Sequence, residues 1–407
     1  MKLLFITSQL PYPPQGGGVI KSFRLLQHLS EHFELSLLCN MKGEDPLNES
    51  AFLQQVSLAD YHSVEVQKSR SARGFIASYL QSKTLNEWRN YSAQMVELVQ
   101  KQSFNKDLIV VDHYEMFQFI PENLKTPVVL HAHNAEHMMW QRFAQLSGQW
   151  FKKKMLHFES NRIRQAEAAA CRRSRLVWAA PADIDALKEA LAEAEGLAFA
   201  PTYHLGNDEF LERKDLDFNN AGKAVLFFGS LSWHANLDGM LWFLESVWPL
   251  VLEKEPEVLL YVVGKQPPVE LRKCAKKAGR VVFTGFVQDL DEYFEKCRVF
   301  INPVRFGSGI KVKMLDAMYR GLPSVSTAVG AESIKITSGK DYFAAKTETD
   351  WVEAISILLN DASIWKQMSV NARQLAFKEY RWQPMLKAHL KELEECIANP
   401  QMPAHAV

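Results

Sequence analysis

Apolar and polar positions follow one another along this chain in a pattern that predicts strands and helices in alternation. Short apolar runs, such as Lys2 to Thr7 and Leu108 to Asp112, predict strands that are covered on both faces. Longer segments with apolar residues three or four positions apart, such as Val19 to His32, predict helices. Alternation of this kind is typical of a parallel sheet with helices on both faces. The pattern therefore predicts an α/β fold.

The alternation stops once, in a polar and charged segment at 207–223, and restarts at Ala224. A chain of 407 residues is also too long for one ordinary hydrophobic core. We therefore expect two Rossmann-like domains and a helical C-terminal tail that packs back towards the first domain. The predicted boundaries are 1–206 for the N-terminal domain, 207–223 for the linker, 224–380 for the second domain and 381–407 for the tail.

Composition narrows the class of protein. The 47 Lys and Arg residues balance the 47 Asp and Glu residues, and this neutrality argues against a nucleic-acid partner. The five cysteines include no C-x-x-C pair, which favours free, buried thiols in a reducing compartment. No apolar run approaches the roughly 20 residues of a membrane span. We expect a cytoplasmic protein.

Glycines follow several of the predicted strands. In an open α/β sheet, ligands bind beyond the carboxyl ends of the strands, and a glycine there lets a backbone approach closely. The glycine positions are Gly16, Gly17 and Gly18 after the first strand, then Gly229-Ser230, Gly264-Lys265 and Gly285-Phe286-Val287 in the second domain. Each could be a plain turn, but the row of them favours a nucleotide-phosphate ligand.

The segment 305–323, RFGSGIKVKMLDAMYRGLP, combines a glycine-broken loop with a predicted helix that ends at Gly321. A loop of this kind at a helix N-terminus is an anion site, because its N–H groups and the helix dipole point at the ligand. Lys311 and Lys313 lie unfavourably for the dipole unless an anion is present. The alternative is an ordinary junction with solvated lysines. Asp316 either accepts hydrogen bonds from a ribose or pairs with Lys313.

Three histidines cluster where the predicted strand Pro127 to Ala132 ends. His133 is expected to face the crevice between the domains as an acid–base or substrate-binding group. His131 and His137 lie beside it in the sequence, and at least one of the three is expected to be structural.

One helical stretch is predicted from about Glu136 to Arg173, and its part from Lys152 to Arg175 is basic. Trp150 and Phe151 precede the lysines. An anionic membrane surface is therefore a candidate partner of 150–175, and a solvated helix face is the alternative.

Several segments together are typical of a known family. They are HNAE at 133–136, FFGSLSWHANLDGMLWF at 227–243, VVFTGFVQDL at 281–290 and GSGIKVKMLDAMYRGLPSVST at 307–327. The chain resembles the family 4 (group 1) glycosyltransferases of the GT-B fold, in which two Rossmann-like domains with parallel sheets face a central cleft. The resemblance implies retaining transfer of a sugar from a nucleotide diphosphate sugar to a glycan or lipid-linked acceptor, in polysaccharide or glycolipid biosynthesis.

The resemblance also implies roles for individual residues, without a metal or other cofactor. His133 would lie close to the reacting sugar, Phe286 and Val287 at the base, Asp316 at the ribose, and Gly16, Gly17 and Gly18 over the donor phosphates or the acceptor. The diphosphate would be held by Gly229, Ser230, Ser308, Gly309, Ile310, Lys311 and Lys313.

This chain departs from the family pattern at four positions. Ser308 and Asp316 stand where many members have glutamates, and Ser230 and Asn236 replace an Arg and a Lys that are often present. Neutralisation of the phosphates then depends on Lys311 and Lys313. A sugar-nucleotide 2-epimerase and a non-catalytic sugar-nucleotide binding protein remain alternatives.

Overall fold

The structure is a computed structural model that describes residues 1–14, 17–43, 46–68, 71–191, 196–203 and 207–400. The described residues up to position 203, with those from 383 onwards, form one compact unit. Those from 207 to 382 form a second.

The first unit is built on a seven-stranded sheet in which every pair of neighbouring strands is parallel. Its strands are β1 (Lys2–Thr7), β2 (Glu34–Met41), β3 (Asp60–Glu65), β4 (Leu108–Asp112), β5 (Val128–His131), β6 (Leu176–Ala179) and β7 (Phe199–Pro201). Their order is β3-β2-β1-β4-β5-β6-β7, so the direction of winding reverses between β1 and β4. Ligands of doubly wound sheets bind at such a reversal, beyond the carboxyl ends of the strands.

Helices and apolar side chains cover both faces of this sheet, as the continuous apolar runs predict. Leu4 and Ile6 of β1 belong to one buried cluster, and Leu3 and Phe5 belong to another. The helices are α1 (Gly17–His32), α2 (Pro46–Leu53), α3 (Ala72–Leu80), α4 (Leu85–Asn90), α5 (Ala93–Ser103), α6 (Glu136–Leu146), α7 (Trp150–Arg172) and α8 (Pro181–Leu191), with a 3-10 helix at Tyr114–Phe119.

The prediction of one helix from Glu136 to Arg173 is wrong. The chain leaves the helical conformation at Ser147, whose φ is −74° and ψ is 119°, and re-enters it at Trp150. Gly148 lies in the break, and glycine is a poor helix former because ordering it costs the most backbone entropy. The spacing of apolar residues gives no sign of the break, because α6 and α7 each have apolar residues at helical spacing.

The second unit repeats the arrangement with a six-stranded parallel sheet. Its strands are β8 (Ala224–Phe228), β9 (Leu259–Val263), β10 (Val281–Gly285), β11 (Val299–Asn302), β12 (Ser324–Ser326) and β13 (Phe343–Ala344), in the order β10-β9-β8-β11-β12-β13. Its helices are α9 (His234–Trp242), α10 (Trp248–Lys254), α11 (Val269–Ala278), α12 (Asp291–Lys296), α13 (Val312–Arg320), α14 (Glu348–Asn360) and α15 (Ala362–Glu379). The winding reverses between β8 and β11.

The helix that begins at His234 continues past Trp248. A π-helical turn, Phe243–Val247, joins α9 directly to α10, and Pro249 occupies the first turn of α10. The Trp248 N–H donates to the Phe243 carbonyl in the wider π-helical register, and Pro249 follows it without an N–H to pair. Pro249 therefore does not end the helix.

The polar segment at 207–223, which the sequence predicts as a linker, lies with the second unit. It contains a 3-10 helix, Asp208–Glu212, and arginine side chains hold its backbone. Arg373 donates to the carbonyls of Leu211 and Arg213, and Arg298 donates to that of Ala221. Polar composition alone does not reveal such attachment.

The last described helix, α16 (Trp382–Ala398), packs within the first unit. Its Leu393 and Cys396 are buried in the same cluster as Leu3 and Phe5. The indole N–H of Trp178 donates to Glu392 at 2.6 Å.

Two further sequence expectations concern the whole chain. Cys39, Cys171, Cys297 and Cys396 are buried and Cys274 is half-buried, all as free thiols. In the described part of the chain, every helix is too short or too polar to cross a membrane.

Candidate functional site

A buried carboxylate, Asp112, lies where the winding of the first sheet reverses. It ends β4 and pairs in register with Thr7 at the end of β1. Its side chain accepts four hydrogen bonds: from Thr7 and Ser22 hydroxyls, both at 2.8 Å, and from ring nitrogens of His131 at 2.7 Å and His133 at 2.6 Å. We call Asp112, His113, His131 and His133 the histidine cluster.

The cluster holds Asp112 as an anion. Burial by itself would raise the pKa of this carboxyl, but the electrostatic influence of His133 and His113 and the ring N–H donors outweigh burial and keep its pKa well below the ordinary value. Burial has the opposite consequence for His131, whose pKa it lowers well below the usual range. His131 is fully enclosed and bonded to Asp112. It is therefore a neutral group that orients Asp112.

His133 is fixed at the centre of this cluster. Its Nε2 lies 2.6 Å from Asp112 and 3.3 Å from the Ser22 hydroxyl. Since an ionised carboxylate only accepts hydrogen bonds, the ring proton belongs on Nε2. The other nitrogen, Nδ1, lies towards Gly18, where a Cβ atom would come within 3.2 Å of it. A side chain at position 18 would therefore press on the histidine.

The glycines predicted as a loop before the first helix are placed differently. Gly17 and Gly18 form the first turn of α1, so the helix begins two residues earlier than predicted. Gly16 lies outside the described residues. His137, the third of the histidines that lie close together in the sequence, is buried. Its Nδ1 lies 2.5 Å from a carboxylate oxygen of Glu167, so its role is structural.

Three members of this site were not singled out from the sequence: Asp112, His113 and Ser22. His113 stacks on His133 with ring centroids 4.0 Å apart. The sequence held a signal for Asp112 and His113, because they are the first polar residues at the end of an apolar strand. The same kind of position singled out His133. Ser22 had no such signal, since it reaches Asp112 from 90 positions away.

Lys21 is a further buried group beside the cluster. No described residue accepts a hydrogen bond from its ammonium, and only 3% of the residue is exposed. Burial lowers its pKa to about 7, although Asp112 and Asp183 oppose that shift.

Within the second unit, the glycine row of the sequence lies along neighbouring strand ends. Gly229 donates to the carbonyl of Val263, and Gly264 donates to that of Gly285, each at 3.0 Å. A Cβ atom at position 264 would come within 2.4 Å of the Gly229 carbonyl oxygen. Glycine is required at 264 because two backbones meet there, and the three strand ends form one edge.

The loop at 305–311 carries the backbone conformations that its glycines predict. Gly307 has a φ of 131° and Gly309 a φ of 71°. Lys311 donates to the carbonyls of Ser308 at 3.0 Å and Gly309 at 2.6 Å, so it ties the loop to itself. Ser308 is buried, and no described residue bonds its hydroxyl. Ile310 is buried beneath the loop.

Lys313 is not solvated, contrary to the alternative reading of this junction. Its ammonium donates to Asn236 at 2.6 Å, and Asn236 donates to the carbonyl of Ser230 at 2.8 Å. Burial, reinforced by the charge of Lys311, lowers the pKa of Lys313 well below its usual value. A side chain from α13 thus reaches the turn after β8, which carries Gly229 and Ser230.

Asp316 does not pair with Lys313. It accepts a hydrogen bond from the backbone N–H of Asn207 at 3.0 Å. Although part of the side chain reaches the surface, its surroundings are those of the interior, and burial raises its pKa to about 7. Phe286 is 52% exposed with the Lys265 ammonium 4.6 Å from its ring centre, and Val287 is half-buried.

Two groups of described residues have donor atoms close enough to share a metal ion. They are His28, Glu31 and His32 on α1, and Asp112, His113 and His133. In the second group the carboxylate oxygens already accept four hydrogen bonds.

This architecture was compared with proteins of known family and structure. Residues 222–361 match the family model described as glycosyl transferases group 1. The second unit therefore carries a group 1 glycosyltransferase domain, and the chain has the GT-B fold. An uncharacterized 44.6 kDa protein from the cps region of Klebsiella pneumoniae is 22% identical to this chain over 410 residues, covering 96% of this chain and 99% of the relative.

Solved structures share the fold of this chain at low sequence identity. Sucrose-phosphate synthase of Thermosynechococcus elongatus superimposes with a TM-score of 0.71 at 13% identity, over 98% of this chain and 100% of that one. HepE of Anabaena, solved with UDP and glucose, gives 0.66 at 16% identity, over 97% and 100%. TarM gives 0.66 at 12% identity, over 96% and 98%.

Proposed function

We propose that this glycosyltransferase moves a sugar from a nucleotide diphosphate sugar to a glycan or lipid-linked acceptor with retention of configuration. The observation that carries the proposal is the edge of the second sheet. There the turn after β8, the loop at 305–311 and the start of α13 lie together, and Lys311 and Lys313 reach that place. HepE, which shares the fold, has been solved with UDP-glucose, and this supports a sugar nucleotide as donor.

Charge on the leaving diphosphate is the main electrostatic demand of such a transfer. Preorganised N–H donors and lysines meet it without rearrangement. Lys311 lies at the N-cap of α13, where the helix dipole adds to its charge. We propose that Lys311 supplies cationic charge, that a bound diphosphate restores the charge of Lys313 by raising its lowered pKa, and that turnover needs no metal or other cofactor. His133 would lie by the reacting sugar, Asp316 at the ribose, and Phe286 and Val287 at the base.

The acceptor side of the proposal rests on the first unit. Gly17 and Gly18 open α1, and Gly18 lies against the His133 ring, so we place the acceptor at this turn. The relative from the cps region supports a role in polysaccharide or glycolipid biosynthesis.

We propose that the beginning of α7 also contacts an anionic membrane. Trp150 and Phe151 are 68% and 71% exposed, and Lys152, Lys153 and Lys154 follow them on the surface. The acidic residues of this helix do not oppose that charge at its surface, because Glu159 and Glu167 are buried and hydrogen-bonded. The apolar side chains would enter the interface while the lysines meet lipid phosphates.

Arginines of α7 and of its C-cap, Arg173, play a different part. Arg162 donates to the carbonyl of Ser78, Arg172 to that of Leu191, and Arg173 to that of Ile120. The proposed membrane contact is therefore limited to the first turns of α7, together with exposed apolar residues of α3. Those residues are Ile76, Tyr79 and Leu80. The ring centroid of Tyr79 lies 5.9 Å from that of Phe158 on α7. Such contact implies a place at the inner face of a membrane.

The test is a panel of nucleotide diphosphates and their sugars. A ligand of the native state raises the melting temperature, so a shift with uridine, guanosine or adenosine diphosphate identifies the base. Release of the nucleotide, dependent on an acceptor, then supports transfer. Binding without any release would refute catalysis, and failure of every nucleotide to bind would refute the donor site. Sedimentation with vesicles containing phosphatidylglycerol tests the membrane contact, with Trp150→Ser as the variant.

A further inference from the structure

His113 has a backbone conformation that a histidine rarely adopts. Its φ is 76° and its ψ is 139°, which is outside the left-handed helical region that histidine occasionally visits. Glycine would adopt this conformation without strain. Strained side chains of this kind persist where the surrounding structure holds them, and they concentrate at functional sites.

The surrounding structure fixes His113 from both sides. Its N–H donates to the carbonyl of His131 at 3.1 Å, which continues the ladder between β4 and β5. Its own carbonyl accepts from the N–H of Met116 at 3.1 Å, which begins the 3-10 helix. The chain must therefore turn at position 113, and the turn alone would be better served by glycine.

What the histidine adds is its ring. The ring is nearly parallel to that of His133, at an angle of 16° and 4.0 Å between centroids. Its Nε2 lies 3.9 Å from Asp112. The three histidine side chains of the cluster differ in their exposure to solvent. That of His113 is 22% exposed, while those of His133 and His131 are 2% and 0% exposed. His113 is thus the outer face of the histidine cluster, and His133 lies behind it.

We infer that His113 is a substrate-contacting residue whose ring hydrogen-bonds a sugar hydroxyl, and that its strained backbone holds the ring over His133 for this contact. The inference rests on the proposed transfer of a sugar and deepens it. Burial lowers the pKa of His113 to about 3. The ring is therefore neutral near pH 7, where it can donate or accept one hydrogen bond to a hydroxyl but is too weak a base to remove its proton.

The strain is tested by comparing His113→Gly with His113→Ala. Both variants lose the ring, and only glycine relieves the backbone. We expect the glycine variant to melt about 2–4 °C above the alanine variant, the reverse of the usual order. Ser82 also has a positive φ, 54°, but lies on the exposed surface. Ser82→Gly is therefore the control for introducing glycine at a positive φ away from the site. Equal melting temperatures of the two His113 variants would overturn the argument from strain.

The contact is tested with UDP-glucose as the probe. Loss of one neutral hydrogen bond predicts a decrease of about 3–10-fold in kcat/KM for UDP release from both variants, with unchanged affinity for UDP. His113→Asn carries the same backbone strain as histidine and keeps a donor and an acceptor, so it should recover part of the activity. Ser82→Gly should keep wild-type activity. Full activity of His113→Ala would overturn the inference.

The remaining outcomes separate the two sources of the hydroxyl and the two proposals. A loss without any acceptor assigns the hydroxyl to the donor sugar, and a loss only after methyl glucoside is added assigns it to the acceptor. If the wild type releases no UDP, the proposed function fails for this donor. The nuclear magnetic resonance signal of the His113 ring then decides, because a signal that UDP-glucose does not shift overturns the inference.

Discussion

Replacement of Asp112 by asparagine tests the electrostatic organisation of the first unit. The amide has nearly the shape of the carboxylate but no charge. Its oxygen can still accept from His131 and His133, and its NH₂ group can donate to Thr7 and Ser22, whose hydroxyls can rotate. The substitution therefore removes charge and leaves the number of hydrogen bonds nearly unchanged.

The magnitude follows from the two bonds to imidazole. A hydrogen bond to a charged group contributes about 1.5–3 kcal/mol and a neutral one about 0.5–1.5 kcal/mol. Losing the charge at both bonds should lower the free energy of unfolding by about 2–3 kcal/mol. Urea unfolding at pH 7 measures this. The matched control is Asp107→Asn at the other end of the same strand pair, where an exposed carboxylate accepts from the Lys2 N–H. That control should change stability by less than about 0.5 kcal/mol.

The dependence on pH gives an independent check. The pKa of Asp112 in the folded state lies below its unfolded value of about 3.9. Such a group contributes stability that is fully present above the unfolded pKa and is lost as pH falls through the folded one. The stability difference between wild type and Asp112→Asn should therefore be constant near neutrality and shrink below about pH 4. A variant as stable as the wild type, with no such change, would refute the assignment of an ionised Asp112.

Three other substitutions probe the proposed site. His133→Ala should lower nucleotide release by at least about 10-fold while sparing affinity for UDP, and full activity would remove His133 from the site. Lys311→Ala should weaken UDP binding by about 10–100-fold in calorimetry, because a charged contact is lost. Replacement of an exposed lysine, Lys366→Ala, should leave the affinity unchanged. Equal affinities of the Lys311 variant and the wild type would contradict the proposed contact between Lys311 and the diphosphate. Asp316→Asn should be more stable than wild type at pH 8 and lose that advantage towards pH 4, because a carboxyl whose pKa is raised to about 7 destabilises the fold as it ionises; thermal melts at both pH values measure this, and an unchanged gap would exclude burial as its cause.

The donor-side loop shows how far local signals reach. The spacing of apolar residues predicts a helix after the loop at 305–311, and the structure has α13 at Val312–Arg320. Gly321, predicted as the stop, has a φ of 73° and a ψ of 29°. These features depend on residues a few positions apart, so the sequence carries them. The partners of Lys313 and Asp316 do not follow from it, since Asn236 and Asn207 approach from distant segments.

The histidine cluster depends still more on tertiary structure. Asp112 and His133 could each be noticed at a strand end, but their meeting depends on β4 lying beside both β1 and β5. Ser22 reaches the same carboxylate from α1, and His113 takes its strained conformation because backbone bonds to β5 and the 3-10 helix require it. Hydrophobic periodicity records which face of an element is buried, and it holds no information on which side chains another element will bring to that face.

The sequence by itself thus determined two parallel α/β units, the helix after the glycine loop and the resemblance of the second unit to group 1 glycosyltransferases. Alternation of apolar runs, glycine positions and short motifs are properties of neighbouring residues, and local backbone preferences and burial follow from them directly. Only the tertiary structure decided that 207–223 packs on the second unit and that Asp112 is the anion around which three histidines gather. Those outcomes depend on the order of strands in a sheet, which brings together residues that are far apart in the chain.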